Sequence, residues 1–184
     1  FLTALDEADI EITEAETGAE INLGEAEAVL LAPEEKSSNL NNYSVGVILN
    51  HGRNSFVFTG DAEKKAEKHF IKSGLIDKCT VYKAGHHGSS TSSSEEFMAK
   101  LRPDYAVIMC GEGNSYNHPE DEAVARIAKY ADKKNIYRTD LSGTVVVISD
   151  GEGIGIKTEK LMFFGHPTPG IQLFCGKILR LFRI

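Results

Sequence analysis

The sequence predicts a layered α/β domain whose sheet is partly antiparallel. Two observations carry this: short apolar strands alternate with amphipathic helices, and hairpin patterns lie at both ends of the stretch before residue 160. In residues 1–35, Ile10, Ile12, Ile21, Leu23, Val29 and Leu31 alternate in places with polar residues, predicting short strands with turns at Gly18 and Gly24. The same residues hold eleven acidic side chains and no Lys or Arg, so repulsion favours an exposed edge over a calcium site. Ser44–Leu49 and Ser55–Phe58 read as strands joined by the polar loop Asn50–Asn54, with Gly52 for the turn. Glu63–Lys72 places Ala66, Phe70 and Ile71 on one helical stripe that stops at Gly74. Cys79–Lys83 is a short strand. Ser94–Leu101 is a helix capped by Ser94, Tyr105–Cys110 a buried strand, and Pro119–Tyr130 a helix with proline in its first turn. Ile136–Tyr137 and a hairpin of Thr144–Ser149 with Ile154–Thr158 around Asp150-Gly151 complete the series.

The chain has 184 residues, 41% of them hydrophobic and 26% charged, enough for a packed core. A net charge of −7 argues against a nucleic-acid coat protein, which binds by neutralising phosphates. It leaves open an enzyme acting on phosphodiesters, because bound metal ions supply positive charge locally. No apolar run is long enough for a membrane-spanning helix. Cys79, Cys110 and Cys175 are widely spaced with no CxxC, so neither a disulfide framework nor a cysteine zinc site is expected. The chain opens on Phe1 and is read as a fragment or processed product. Residues 161–184 hold no acid and three prolines or glycines in close succession at Pro167, Pro169 and Gly170. They read as an atypical apolar, basic tail, either a surface-lying segment or a non-native end.

The informative feature is where polar residues fall. Thr59-Gly60-Asp61, Gly85-His86-His87-Gly88-Ser89, Asn117-His118-Pro119 and Arg138-Thr139-Asp140 each follow a predicted strand, and α/β sites are built from such loops. Asp61 reads either as a helix cap or as a carboxylate metal ligand. His86 and His87 are either one buried and one surface imidazole or a ligand pair with glycines allowing close approach. His118 either starts a helix or serves as acid, base or phosphate contact. Asp140 is either a turn residue or a carboxylate orienting a histidine. His51 and His69 read as solvated, and Ser89–Ser94 as a flexible loop.

In order, Asn41-Asn42-Tyr43-Ser44-Val45, Phe58-Thr59-Gly60-Asp61, Lys83-Ala84-Gly85-His86-His87-Gly88-Ser89, Asn117-His118-Pro119 and Tyr137-Arg138-Thr139-Asp140 with Gly143 form one set. With it the chain resembles the metallo-β-lactamase fold, specifically the ComEC-type domain of DNA-uptake channel proteins and its stand-alone hydrolase relatives, over about residues 1–160. The resemblance implies an αββα sandwich holding up to two divalent metal ions, zinc or manganese. Metal-activated water would attack a phosphodiester, with paired ions about 3.5–4 Å apart. It implies Asp61 as bridging carboxylate and one of His86 and His87 as a metal ligand, with His87 preferred and the other facing substrate. His118 and Asp140 would line the pocket as substrate contact and supporting group, and Asn42 and Thr59 would be structural supports.

One departure shapes the expectation. The family's earlier His-x-(His/Asp)-x-Asp-His motif occurs nowhere in the chain. The chain therefore resembles only the C-terminal half of the domain, lacks the first-metal ligands, and is expected to be inactive or nearly so alone. An exposed inner sheet face and poor solubility would follow. The expected parent is a phosphodiesterase or nuclease acting on single-stranded DNA, attached to a membrane channel and extracytoplasmic or membrane-associated. The alternatives are a stand-alone hydrolase of phosphocholine-like or other small esters, and a non-catalytic remnant or binding module.

Overall fold

The computed structural model describes residues 2–33 and 37–160; the tail expected at 161–184 lies outside the described residues. The chain begins with helix α1 (Leu2–Glu7), then strands β1 (Glu20–Leu23), β2 (Ala26–Leu31), β3 (Gly46–His51) and β4 (Asn54–Phe58). Helix α2 (Lys64–Lys72), β5 (Val81–Lys83), α3 (Glu95–Leu101), β6 (Tyr105–Ile108) and α4 (Asp121–Ile127) follow. The described part ends with β7 (Ile136–Arg138), α5 (Thr139–Ser142), β8 (Val145–Ser149) and β9 (Ile154–Thr158). Among the described residues no helix is long and apolar enough to cross a membrane.

Seven strands form one mixed sheet in chain order, antiparallel from β1 to β4 and parallel from β4 to β7. The period of two in each strand sorts side chains cleanly between two cores. Leu31, Ile48, Val57, Tyr82, Ala106 and Ile108 face Phe70 of α2, Phe97, Met98 and Leu101 of α3, and Ile127 of α4. Their strand neighbours Ala28, Leu49, Phe56, Val81 and Val107 face the opposite way, onto Val145, Val147, Ile154 and Ile156 of the β8–β9 hairpin. The α/β class expected from the alternation is therefore present, with helices on one face of the large sheet and a two-stranded sheet on the other. β1 is the exposed outer edge, in keeping with its acidic surroundings.

Five local expectations need correction. Ile10 and Ile12 form no strand: α1 ends there, Asp9 takes a φ of 52°, and both isoleucines stand exposed in irregular chain. His51 is buried rather than solvated, because the β3–β4 turn tucks under the β8–β9 turn, where His51 Nδ1 meets Ser149 Oγ at 2.9 Å. The Ser89–Ser94 segment is packed rather than flexible: Ser89, Ser92, Ser93 and Ser94 are all buried and hydrogen-bonded by the helices around them. The helix expected over Pro119–Tyr130 is confined to Asp121–Ile127, and a short helix, α5, occupies the loop after β7. Ser94 does sit at the start of α3, but its side chain makes no cap bond there; its N–H goes to Glu67 instead.

Candidate functional site

Because β4, β5, β6 and β7 are parallel, their carboxyl ends share one edge of the sheet, and the loops singled out in the sequence all leave from it. The loop after β4 brings Asp61, whose backbone N–H donates to Ser44 Oγ at 3.1 Å. This loop is tied to the next, since His86 N–H donates to Gly60 O at 3.0 Å. Helix α2 begins at Lys64 with Glu63 before it, so Asp61 is not a helix cap. Asn42 Oδ1 takes the N–H of Ala66 in the first turn of α2, fixing that helix against the loop.

The loop after β5 is a single turn, Gly85–Gly88, in which both histidines take left-handed backbone, His86 at φ 44° and His87 at φ 54°. Consecutive non-glycine residues rarely adopt this region, and such strain concentrates at functional sites. Gly88, at φ +80°, lets the turn press against the chain at Pro119: a Cβ there would lie 2.7 Å from Pro119 Cβ. The backbone thus throws the two imidazoles to different partners. His87 Nδ1 meets the carbonyl of Met109 at 2.8 Å, which requires a proton on that nitrogen, and its Nε2 lies 3.5 Å from Asp61 Oδ1. His86 Nδ1 lies 3.7 Å from Glu63 Oε1 and 3.4 Å from Thr91 Oγ1. Glu63 is itself held, accepting from the side-chain amides of Asn39 and Asn41.

His118 completes the cluster. Its ring centroid is 5.6 Å from that of His86, edge to face, and 5.9 Å from that of Tyr116, stacked. Desolvation lowers its pKa, and His86 lowers it further, while Glu120 and Asp61 pull the other way; the two histidines and Asp61 therefore act on it as one field. Its Nδ1 is buried with no hydrogen-bond partner among the described residues. Lys83, at the end of β5, has its pKa lowered by burial, with the Asp61 carboxylate opposing.

Of the residues expected from sequence, Asp61, His86, His87 and His118 converge. Asp140 is turned elsewhere. Its carboxylate accepts from Arg138, with Nη2 at 2.6 Å and Nε at 3.1 Å, and from the Cys110 thiol at 3.3 Å. Burial alone would raise the Asp140 pKa, but these donors outweigh it and hold the carboxyl below its ordinary value. The role of orienting a histidine does not match these partners. Sequence reasoning missed Glu63, read only as a helix start, and Asn114, whose side chain organises the loop before His118. It also missed Glu67 and Arg126, which hold the serine loop following His87; the four-residue helical spacing of Glu67 from Glu63 carried no sign of burial. Among the described residues no three His, Cys, Asp or Glu side chains are grouped to hold an ion by themselves.

No family model matches the chain. Similarity to individual proteins defines a class first: over 107 residues the chain is 37% identical to Recombination protein 2 of Haemophilus influenzae (58% of this chain, 13% of that protein). Over 114 residues it is 36% identical to Competence protein ComA of Neisseria gonorrhoeae (61% of this chain, 16% of that protein). The longest of these matches is to ComE operon protein 3 of Bacillus subtilis, 32% identical over 145 residues and covering 78% of this chain. The chain is related to this ComEC-type group, and the match spans 18% of the length of ComE operon protein 3.

Proposed function

We propose that this chain forms the C-terminal half of a metallo-β-lactamase-like domain, and that the completed domain is a metal-dependent phosphodiester hydrolase serving DNA uptake. The observation that carries the reading is the pairing of Asp61 with His87 at 3.5 Å. His87 uses its Nδ1–H on the Met109 carbonyl, leaving Nε2 to face the Asp61 carboxylate. A histidine anchored through one nitrogen is the arrangement metal ligands require, so the donor set fits a divalent ion such as zinc or manganese. Asp61 and His87 would hold it, with His86 beside them. When bound, such an ion lowers the pKa of water and stabilises charge on phosphodiester oxygens.

The chain's own residues have separable tasks in this reading. Ser44 ties the Asp61 loop to the chain before β3, and the Gly60 carbonyl ties it to the His86 turn. His118, whose pKa is lowered by desolvation and by His86, can accept a proton or contact a phosphoryl oxygen. Asp140 braces the corner between β7 and α5 through Arg138 and Cys110. The first-metal ligands lie outside this chain, so the chain alone is proposed to be inactive or nearly so. The names of two relatives, Competence protein ComA and Recombination protein 2, support a competence-related setting.

The test is manganese binding, followed by electron paramagnetic resonance, and manganese-dependent cleavage of single-stranded DNA by the polypeptide carrying an upstream half-domain. Asp61→Ala and His87→Ala are each expected to weaken metal binding by tenfold or more, on the order of ligand-shell losses, and to abolish cleavage. Near-normal metal content and turnover in Asp61→Ala would remove the assignment.

A further inference from the structure

We propose that Tyr116, stacked on His118 at the rim of the site, is a platform for a nucleobase, so that the site takes a single strand of nucleic acid by the base next to the phosphodiester. The position of that phosphodiester rests on the hydrolase reading above; the stacking surface does not.

Tyr116 is 77% exposed, and its ring lies 19° from parallel with the ring of His118. An isolated exposed aromatic means little. Here, however, the loop that carries it is fixed in place by one side chain. Asn114 Oδ1 accepts from the N–H groups of both Tyr116 and His118, at 3.2 and 3.0 Å. Its Nδ2 donates to the carbonyls of Gly111 and His118. The backbone on both sides of the ring is thus fixed and the ring itself rests on His118, which leaves less to order on binding, as a stacking surface needs. One face of the ring meets His118, and the exposure leaves the other open to water.

The placement gives the platform its direction. Tyr116 stacks on His118, and the His118 ring packs edge to face on His86, the neighbour of His87 in the strained turn. A row of three rings therefore leads from solvent to the residues that face Asp61. A base laid on Tyr116 would bring its own phosphate toward the His118–His86 end of that row.

Charge supports stacking as the main source of affinity. The chain carries −7 overall, so it has little capacity for the phosphate neutralisation that dominates basic DNA-binding proteins. Stacking on an aromatic ring tolerates any base, because every base presents a π-face. A small ester lacking a base would gain nothing from Tyr116, which separates the nuclease reading from the small-ester alternative.

The chain contains no tryptophan, so Tyr116→Trp places a single indole at the platform. The variant is titrated with oligothymidylate and with an abasic oligonucleotide of equal length. The expected result is indole quenching by the first and none by the second, with only a shallow salt dependence. With a labelled oligothymidylate, Tyr116→Ala should bind roughly 5- to 100-fold more weakly than the native chain, and Tyr116→Phe close to it. Equal quenching by the base-bearing and abasic strands, or unchanged binding in Tyr116→Ala, would overturn the platform. Base-dependent quenching in a polypeptide whose complete domain cleaves no phosphodiester would instead overturn the hydrolase reading and leave the platform standing.

Discussion

Glu67 and Arg126 grip one buried loop from two helices. Both oxygens of the fully buried Glu67 carboxylate accept backbone N–H groups, one from Ser93 and one from Ser94. Arg126 donates to the carbonyls of Ser90, Ser92 and Ser93, at 2.7, 2.9 and 3.0 Å. Ser93 itself sits at φ 51°, and its Oγ meets the buried Tyr82 hydroxyl at 3.0 Å. The loop joins the histidine turn to α3, so the clamp fixes the chain immediately after His86 and His87.

Glu67→Ala should therefore be severe. It strands two buried N–H groups, those of Ser93 and Ser94, while Arg126 keeps its ion pair with Glu122, a loss of about 2–5 kcal/mol for two buried donors left unpaired. Arg126→Ala should cost a similar amount. Because both act on the same loop, the double variant should lose less than the two single losses added, with a coupling of about 0.5–3 kcal/mol. Urea unfolding of the four proteins measures this directly. Strict additivity would mean that the two side chains support separate structures.

The histidine turn makes a second prediction through its glycine. Gly88 has φ +80°, and a Cβ would sit 2.7 Å from Pro119 Cβ and 3.0 Å from a methyl of Ile108. Gly74 has nearly the same φ, +77°, yet none of the described residues lies within 4 Å of where its Cβ would be. Gly74→Ala should cost about 1 kcal/mol, from backbone conformation alone. Gly88→Ala adds overpacking and should cost about 2–4 kcal/mol. It should also shift the amide and ring resonances of His86, His87 and His118, which Gly74→Ala leaves in place. Equal losses at the two glycines would show that the Pro119 contact yields freely.

Much of this architecture is legible in the residues. Short apolar runs in β3, β4 and β6, and the Gly-flanked His86-His87 pair, are local signals, and the structure follows them. The gathering of Asp61 with the His86-His87 turn at one edge was legible too, because loops that follow neighbouring strands share an edge; which of the two histidines faces Asp61 was not. What the sequence hides is long-range. Ser89–Ser94 looks like a solvated hydroxyl-rich loop until α2 and α4 supply Glu67 and Arg126, which lie 22 or more residues away from it. His51 looks like a turn residue because its partner, Ser149, is 98 residues away. Asp140 looks free to orient a histidine because nothing in its spacing reveals that Arg138, two residues earlier, folds back onto it.

That Arg138–Asp140 pair predicts a pH dependence. The folded state holds the Asp140 carboxyl below its ordinary value of 3.8, so across that interval the unfolded chain binds more protons. Stability from this group is present above pH about 4 and is lost as pH falls through the depressed folded value. Asp140→Asn keeps the shape and removes the titration. Native protein should be the more stable by about 1–3 kcal/mol at pH 6, the range for a hydrogen-bonded charged pair, and the gap should close toward pH 3. Urea unfolding of both proteins from pH 3 to 6 follows it. A gap that stays constant over that range would mean Asp140 acts by shape alone.

At the far end of the sheet, hydrogen-bond counting fixes the state of His51. Ser149 Oγ lies 2.9 Å from Asn54 Nδ2 and 3.2 Å from the N–H of Gly151, both of which can only donate. The orientation of the Asn54 amide is not arbitrary, since the same Nδ2 also reaches the carbonyl of Gly153 at 3.1 Å. With both lone pairs of Ser149 taken, its own O–H must point at His51 Nδ1, and the imidazole carries its proton on Nε2. Nitrogen-15 shifts of the His51 ring should therefore report the Nε2–H tautomer, the opposite of His87. Ser149→Ala removes the shared acceptor that ties the β3–β4 turn to the β8–β9 turn. It should cost about 1–3 kcal/mol, for the buried donors left without a partner. The loss should concentrate in faster amide exchange across Val145–Thr158 while α2 to α4 stay protected, because that hairpin meets the large sheet through a core of its own. Uniform loss of protection would instead make the hairpin and the helical layer a single cooperative unit.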